Sequence, residues 1–402
     1  MNVANLILLA AATFAVTSSL FFAGSLLWAT RRRRKPLPDH TPPVTILKPL
    51  KGVDEGLAEN LRTFFELDYP AYQILFGVAD ERDPAVAVVL DLLAEFPDRD
   101  AHLVVGTPAF GLNPKVENLA AMMPHRRHDV ILISDSNVRV KPNYLRETAA
   151  ELADPSVGLV TNLFAGVEER HFGAALENLQ LNGYIAGGVA AASVLGVTCV
   201  VGKSMLMPVR ALEAIGGLGA VRNLLAEDQA MGLMVRRAGY SVRLSRHVVE
   251  NVNRDRDLSW FLNRHSRWFK IRRQMALPAY LAEPWSNLGA LGLIWALSDD
   301  SGIAWGGLLV LFGTGIARDA LQTKWLRGSF PKLKYLLLSP VKDLFLLPIW
   351  FEAFLNRRVF WRGHRLVIGR FTRLRVSRVP RSVRRRVRRV RKLRSSRPGG
   401  AG

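Results

Sequence analysis

Asp80 and Asp135 each close an apolar run, 73-QILFGVAD-80 and 130-VILISD-135, and Asn137 follows the second two residues later. A carboxylate just past a strand end is the hard oxygen donor that a divalent cation such as Mg2+ or Mn2+ takes, and such a cation also bridges to diphosphate oxygens. There it neutralises charge on a departing diphosphate. Asp135 is the candidate metal ligand and Asn137 its neutral companion. Either acid alone could cap the next turn or helix; two on one edge favour a shared site. Asn113 and Lys115, in 111-GLNPK-115, add polar groups between them. Farther on, Glu227 and Asp228 open the segment 224-LLAEDQAMGLMVRRAG-239, with acids first and Arg236 and Arg237 last, the order a helix dipole prefers. A carboxylate placed there could take a proton from an acceptor hydroxyl, worth typically ~10²–10⁴-fold, although helix-start charge alone explains the same pair. In 264-RHSRW-268, Arg264 and Arg267 share a helical face that suits diphosphate, with Trp268 beside a ligand or the sheet. A basic helix lying on a membrane surface would have the same composition.

Alternating elements must position these groups. Strands are expected at 44–48, 73–80, 101–107 and 130–134, with helices at 57–67 and from Pro84 to Glu95, and a further helix opening after 111–115. That rhythm implies a mainly parallel sheet covered on both faces, and in such sheets ligands bind beyond the carboxyl ends of the strands. Asp80 and Asp135 then face one crevice. Beyond the fourth strand come 157-VGLVTNLFA-165, a long helix around 173–195, a strand-like 197-VTCVV-201 and a basic aromatic stretch over 260–277.

Residues 3–30 hold no charge over 28 positions, and a helix of that length spans about 42 Å, more than the roughly 30 Å hydrocarbon core of a bilayer. Arg31 to Arg34 and Lys35 follow it, where a cleaved leader would carry its basic residues in front. The positive-inside rule then puts a catalytic domain over 44–284 in the cytosol, behind a basic and Pro-rich linker at 31–43. The expected setting is a bacterial inner membrane or its equivalent. The apolar runs 285–298 and 303–317 fall short of a span. The run 335–355 is long enough but holds Lys342 and Asp343, which must face protein or the interface. A crossing there would put the tail outside, against the charge rule, so one segment of 285–356 is expected to be re-entrant or interfacial. The formal charge of +21 gathers in an Arg-rich tail at 357–402. It could hold anionic lipid headgroups; nucleic acid is disfavoured in a membrane-seated chain, and a solvated tail with no partner is the plain alternative. Cys199, a lone thiol, makes no internal disulfide and reads first as a small buried hydrophobe.

The run 47-LKPLKGVDEGLAENLRTFFELDYP-70, with VADERDPA, NPKVENL, SDSNVRV, LAEDQAMG, RHSRW and LAEPWSN in that order, resembles the ceramide glucosyltransferases over about residues 44 to 330. The resemblance implies an α/β GT-A fold with membrane helices at both ends and an inverting mechanism. It implies transfer of glucose from UDP-glucose to the primary hydroxyl of ceramide, giving a β-glucoside. It further implies that Asp80 contacts the uridine, Asp135 holds metal and diphosphate, and Asp228 is the base. Arg264, Arg267 and Trp268 would meet the diphosphate and acceptor region, and Lys115 and Asn137 would join the donor site. Glu227 and Cys199 would stand near it. Asn137 departs from the Asp often found there, which leaves the metal site less charged. The alternatives are the same chemistry on a hopanoid or diacylglycerol precursor, with UDP-N-acetylglucosamine as a possible donor, and, in another class, an inactive scaffold acting through its tail.

Overall fold

The computed structural model describes residues 3–31, 38–299, 301–361 and 364–376. Its centre is an eight-stranded sheet. The strands are β1 (Val44–Pro49), β2 (Tyr72–Val78), β3 (Ala101–Val105), β4 (Val130–Ile133), β5 (Val138–Arg139), β6 (Val157–Val167), β7 (Met205–Pro208) and β8 (Ser241–Val252). Their order is β3-β2-β1-β4-β7-β6-β8-β5. From β3 through β4 the pairing is parallel, as the strand and helix rhythm predicts, and β7 and β5 run antiparallel to their neighbours. β1, β4 and β6 are buried along nearly their whole length, the mark of strands covered on both faces. Phe64, Phe65 and Leu61 of the helix Leu57–Phe65 pack on one face with Ile46, Ile74 and Phe76. Leu119 and Met122 of the helix Pro114–Met122 pack on the other with Leu47, Leu75 and Ile133.

Segment 197–201 is not a strand, contrary to its β-branched composition. Its backbone groups are met by side chains instead: Val200 N–H donates to Gln229 Oε1 at 2.8 Å and Gln229 Nε2 donates to the Thr198 carbonyl at 2.9 Å. The sheet strand forms beyond this segment, at Met205.

The helices Val3–Arg31 and Gly302–Arg327 are long and apolar enough to cross a membrane, and Leu288–Ser298 is a shorter apolar helix. The run expected at 303–317 continues as helix to Arg327, because Arg318 and Asp319 satisfy one another in its interior. The turn between the two C-terminal helices meets the start of the first: Asn5 bonds Asp299, and Trp295 Nε1 donates to Asn5 Oδ1 at 3.1 Å. The other end of Gly302–Arg327 returns to the sheet domain through Arg327 and Glu169. Lys342 and Asp343 face protein, as their charge requires; Lys342 is fully buried between Asp343 and Asp319.

The segment expected to be tail from 357 onward begins as a second sheet. β9 (Arg358–Trp361), β10 (His364–Ile368) and β11 (Leu374–Val376) pair antiparallel, with Leu366, Ile368 and Leu374 buried against Leu225. The Arg-rich residues 377–402 lie outside the described residues.

Candidate active site

The motif Asn113-Pro114-Lys115 starts the helix Pro114–Met122 after β3. Asn113 caps it, its Oδ1 accepting from the backbone N–H of Lys115 and Val116, and Pro114 takes the first turn, where its missing N–H costs nothing. On the same helix Asn118 Nδ2 donates to the carbonyls of Leu50 and Gly77, joining the ends of β1 and β2. The cap thus aims Lys115 at the crevice beyond the strands. Its Nζ lies 2.8 Å from Asp135 Oδ1 and 3.1 Å from Glu227 Oε1. Burial works against its charge, but Asp135, Glu227 and Asp228 outweigh burial and raise its pKa above the ordinary lysine range.

Asp135 is held from both sides. Lys203 Nζ lies 3.1 Å from its Oδ2, and Lys48 Nζ donates to its backbone carbonyl at 2.7 Å. Burial would raise the carboxyl; Lys115 and Lys203 reverse that and hold it far below the usual carboxylate range. Lys203 also donates to Asn137 Oδ1 at 2.7 Å, and Asn137 Nδ2 donates to Asn251 Oδ1. Burial lowers the Lys203 pKa to about 8 against the pull of Asp135.

This donor set does not fit a divalent cation as it stands. Both oxygens of Asp135 bear an ammonium, and the one oxygen of Asn137 is spent on Lys203 instead of standing as a companion ligand. Among the described residues no group of three or more His, Cys, Asp or Glu side chains could share a metal ion. A cation would first have to displace a lysine.

Asp228 stands in the first turn of the helix Glu227–Arg237. Its Oδ2 accepts from Gly202 N–H at 2.8 Å. A Cβ at residue 202 would meet that oxygen at 2.9 Å and Lys115 Nζ at 3.0 Å, so glycine is what lets the loop approach. Burial, reinforced by Glu227 and opposed by Lys115, pushes the Asp228 pKa up to about 6. Near neutrality the carboxylate is mostly ionised yet basic enough to accept a proton, the poise a general base needs. Asn113 links this loop to the donor side by donating to the Leu224 carbonyl and to Glu227 Oε2.

The second sheet secures the same loop from outside. Leu225 N–H donates to the Thr372 carbonyl at 3.0 Å, Ala226 N–H to Thr372 Oγ1 at 3.3 Å, and Leu374 N–H to the Asn223 carbonyl at 2.7 Å. Phe371 and Thr372 both have positive φ, 52° and 58°, a strained backbone that non-glycine residues adopt only under surrounding constraint.

Arg264 and Trp268 lie on the helix Leu258–Met275. The Arg264 guanidinium sits between the rings of Trp260 and Trp268, at 5.0 and 4.5 Å, and its Nε is 3.1 Å from the fully buried Glu177. The Arg264 charge adds to burial in lowering the Lys203 pKa. Arg267 is half-buried on the same helix. Asp80 stands beyond β2, separated from β4 by β1 alone, roughly 10 Å across the sheet. It is exposed and its Oδ1 caps the backbone N–H of Arg82, so among the described residues it does not join the lysine cluster. Cys199 lies near Asp228; burial, then the Asp228 charge, pushes its thiol up to about 11, so it is a neutral neighbour of that carboxylate and not a nucleophile.

Lys48, Lys203 and Thr372 are site residues that the sequence reading passed over. Gly-Lys-Ser after an apolar run signals Lys203, and alternating apolar residues through 364–376 signal the sheet that carries Thr372.

The chain is 28% identical over 330 residues to ceramide glucosyltransferase 3 of Caenorhabditis elegans, covering 80% of this chain and 72% of that one. It is 27% identical over 365 residues to ceramide glucosyltransferase 1 of the same organism, covering 88% and 78%. A mannosyltransferase from Pyrobaculum calidifontis, solved with GDP-mannose and Mn2+, superposes with a TM-score of 0.51 at 20% identity, over 83% of this chain and 99% of that one. At that identity the likeness establishes the GT-A fold. Residues 10–374 match glycosyl transferase family 21, and the chain belongs to that family and is a glycosyltransferase.

Proposed function

We propose that this enzyme transfers glucose from UDP-glucose to the primary hydroxyl of ceramide, with inversion to the β-glucoside. The observation that carries the reading is the pairing of a buried carboxylate whose pKa is about 6, Asp228, with a lysine-bound Asp135 through a shared Lys115. The acceptor oxygen attacks the anomeric carbon from the face opposite the diphosphate while its proton passes to Asp228. The bond from that carbon to the diphosphate breaks, its electron pair leaving with UDP. Lys115, Lys203 and Arg264 supply positive charge to the departing diphosphate, and Asp80, exposed at the far strand end, contacts the nucleoside. A Mg2+ or Mn2+ ion arriving with the donor would reach Asp135 only by displacing Lys115 or Lys203. The names of the family relatives support the sugar and the lipid.

The enzyme sits in a membrane with its catalytic domain in the cytosol. The first helix crosses, and the hairpin from Leu288 to Arg327 goes out to the level of Asn5 and returns. The short helix Ser339–Leu355, with Pro348 inside it, stays at the interface. This route keeps the Arg-rich end cytosolic, in line with the positive-inside rule.

The test offers UDP-glucose, UDP-galactose and UDP-N-acetylglucosamine with ceramide and diacylglycerol to membranes holding the protein, and reads products by mass spectrometry. Hexosylceramide from UDP-glucose alone is expected. A product on a different lipid would overturn the acceptor, and no lipid product from any pair would overturn the proposal.

A further inference from the structure

A small cleft, open to the outside on one side, lies where the sheet domain meets the C-terminal helices; Gln180, Tyr184, Arg272, Glu283, Arg318 and Trp350 are among its walls. Gln180 and Tyr184 reach it from a single π-helical turn, Gln180–Ile185, inserted in an otherwise α-helical segment. Such turns recur at functional sites. On the opposite wall Arg318 is 5% exposed and its Nε holds Asp319 at 3.0 Å, while its Nη2 has no hydrogen-bond partner among the described residues. A buried guanidinium N–H left unmade is costly, so this atom marks where a ligand oxygen belongs.

The charges lining the cleft narrow the ligand class. Arg272 pairs with Glu283, and Asp343 accepts from Lys342 and from the backbone of Gly289. With Asp319 on Arg318, each cation already has its acid, which leaves no charge to balance a phosphate. What remains is a donor, Arg318 Nη2, and, lining the same cleft, a largely buried Glu283 able to accept from a hydroxyl. Phe269, Leu346, Leu347 and Trp350 form the apolar side, and Leu277, Leu281 and Trp285 stand exposed on the neighbouring helical turns. The space suits the polar end of a lipid, with its chains left among those outer side chains.

We propose that this cleft binds the uncharged head of the lipid acceptor, with a carbonyl oxygen on Arg318 Nη2 and a hydroxyl toward Glu283. The assignment rests on the lipid-acceptor reading above and extends it. The cleft adjoins the candidate site through shared elements: Gln180 on its wall lies one helical turn from Glu177, which pairs with Arg264, and Arg272 stands on the same helix as Arg264.

The test uses the full-length enzyme in mixed micelles and two variants. Arg318→Met removes the donor. Leu347→Trp fills the cleft and leaves the ion pairs untouched, guarding against a fold defect in the first. A photoactivatable ceramide is cross-linked to the wild type and its attachment mapped by mass spectrometry, and UDP binding is measured by calorimetry. Both variants are expected to raise the KM for lipid about tenfold, the value of one hydrogen bond to a charged group, with UDP affinity within twofold, and the cross-link is expected on residues of the cleft. An unchanged lipid KM in Leu347→Trp, or cross-links only elsewhere, overturns the cleft assignment while the lipid reading stands. A wild type that glycosylates no lipid overturns both.

Discussion

Replacing Glu227 with Gln tests the base assignment directly. Two carboxylates about 4 Å apart at an effective dielectric of about 20 repel by roughly 4 kcal/mol. Lys115 stands on Glu227 at 3.1 Å and offsets part of that. The sign follows from the causes: a negative neighbour raises the pKa of an acid, so neutralising Glu227 lowers that of Asp228, and Lys115, released from one acid, pulls in the same direction. A net fall of about one unit, or about 1.4 kcal/mol, moves the acid limb of kcat/KM from about 6 to roughly 5. At pH 5 the ionised fraction of Asp228 then rises from about one tenth to about one half, so activity relative to each enzyme's own plateau is about fivefold higher in the variant. The assay is kcat/KM against pH from 4.5 to 8 with UDP-glucose and a short-chain ceramide. A limb that stays at 6, or climbs, would refute Asp228 as the titrating base or Glu227 as its charged neighbour.

Lys203→Met leaves Asp135 one ammonium and deprives Asn137 Oδ1 of its donor; UDP affinity measured by calorimetry is expected to fall roughly 10- to 100-fold, the range for a charge-assisted bond. Since both Asp135 oxygens already carry lysines, UDP binding in a chelator is expected within about threefold of that in Mn2+, and a gain beyond tenfold with the metal would mean that a lysine yields. Truncation after Gly369 removes the three hydrogen bonds from Thr372 and Leu374 to the base loop, each worth about 0.5–1.5 kcal/mol. It should lower kcat by at least tenfold, whereas truncation after Val376 keeps those bonds and should keep turnover; equal rates would show that the second sheet does not position the loop.

The features legible in the sequence are those set by local rules. A carboxylate after an apolar strand, a capping Asn before Pro and acids at a helix start each announce themselves within a few residues, and these rules single out Asp135, Lys115 and Asp228 as candidates. Lys48 was hidden because a lysine at a strand end reads as a solvated terminus; only the fold shows it fully buried, its Nζ 3.7 Å from the centre of the Phe64 ring and bonded to the Asp135 carbonyl. Thr372 was hidden for a different reason. Its neighbours are arginines, and charge density reads as solvated chain, although Leu366, Ile368 and Leu374 alternate in the period of a strand and are buried. Asn137 could be misread because its position beside Asp135 in sequence says nothing of Lys203, which arrives from sixty-six residues away and claims its oxygen.

The lysines that hold Asp135 also bear on the timing of the proton transfer. In the free enzyme Lys115 serves three carboxylates at once and restrains the Asp228 pKa. A bound diphosphate competes for the same ammonium and adds negative charge to a buried crevice. Both changes raise the Asp228 pKa, so the carboxylate becomes more basic once the sugar donor is seated. The acid limb of kcat, which reports the enzyme–substrate complex, is therefore expected above that of kcat/KM, which reports the free enzyme, by about half to one pH unit. The two limbs come from one set of initial-rate measurements, with lipid and UDP-glucose varied at each pH. A kcat limb at or below the kcat/KM limb would mean that Lys115 stays with the acids and that the diphosphate is met by Lys203 and Arg264 alone.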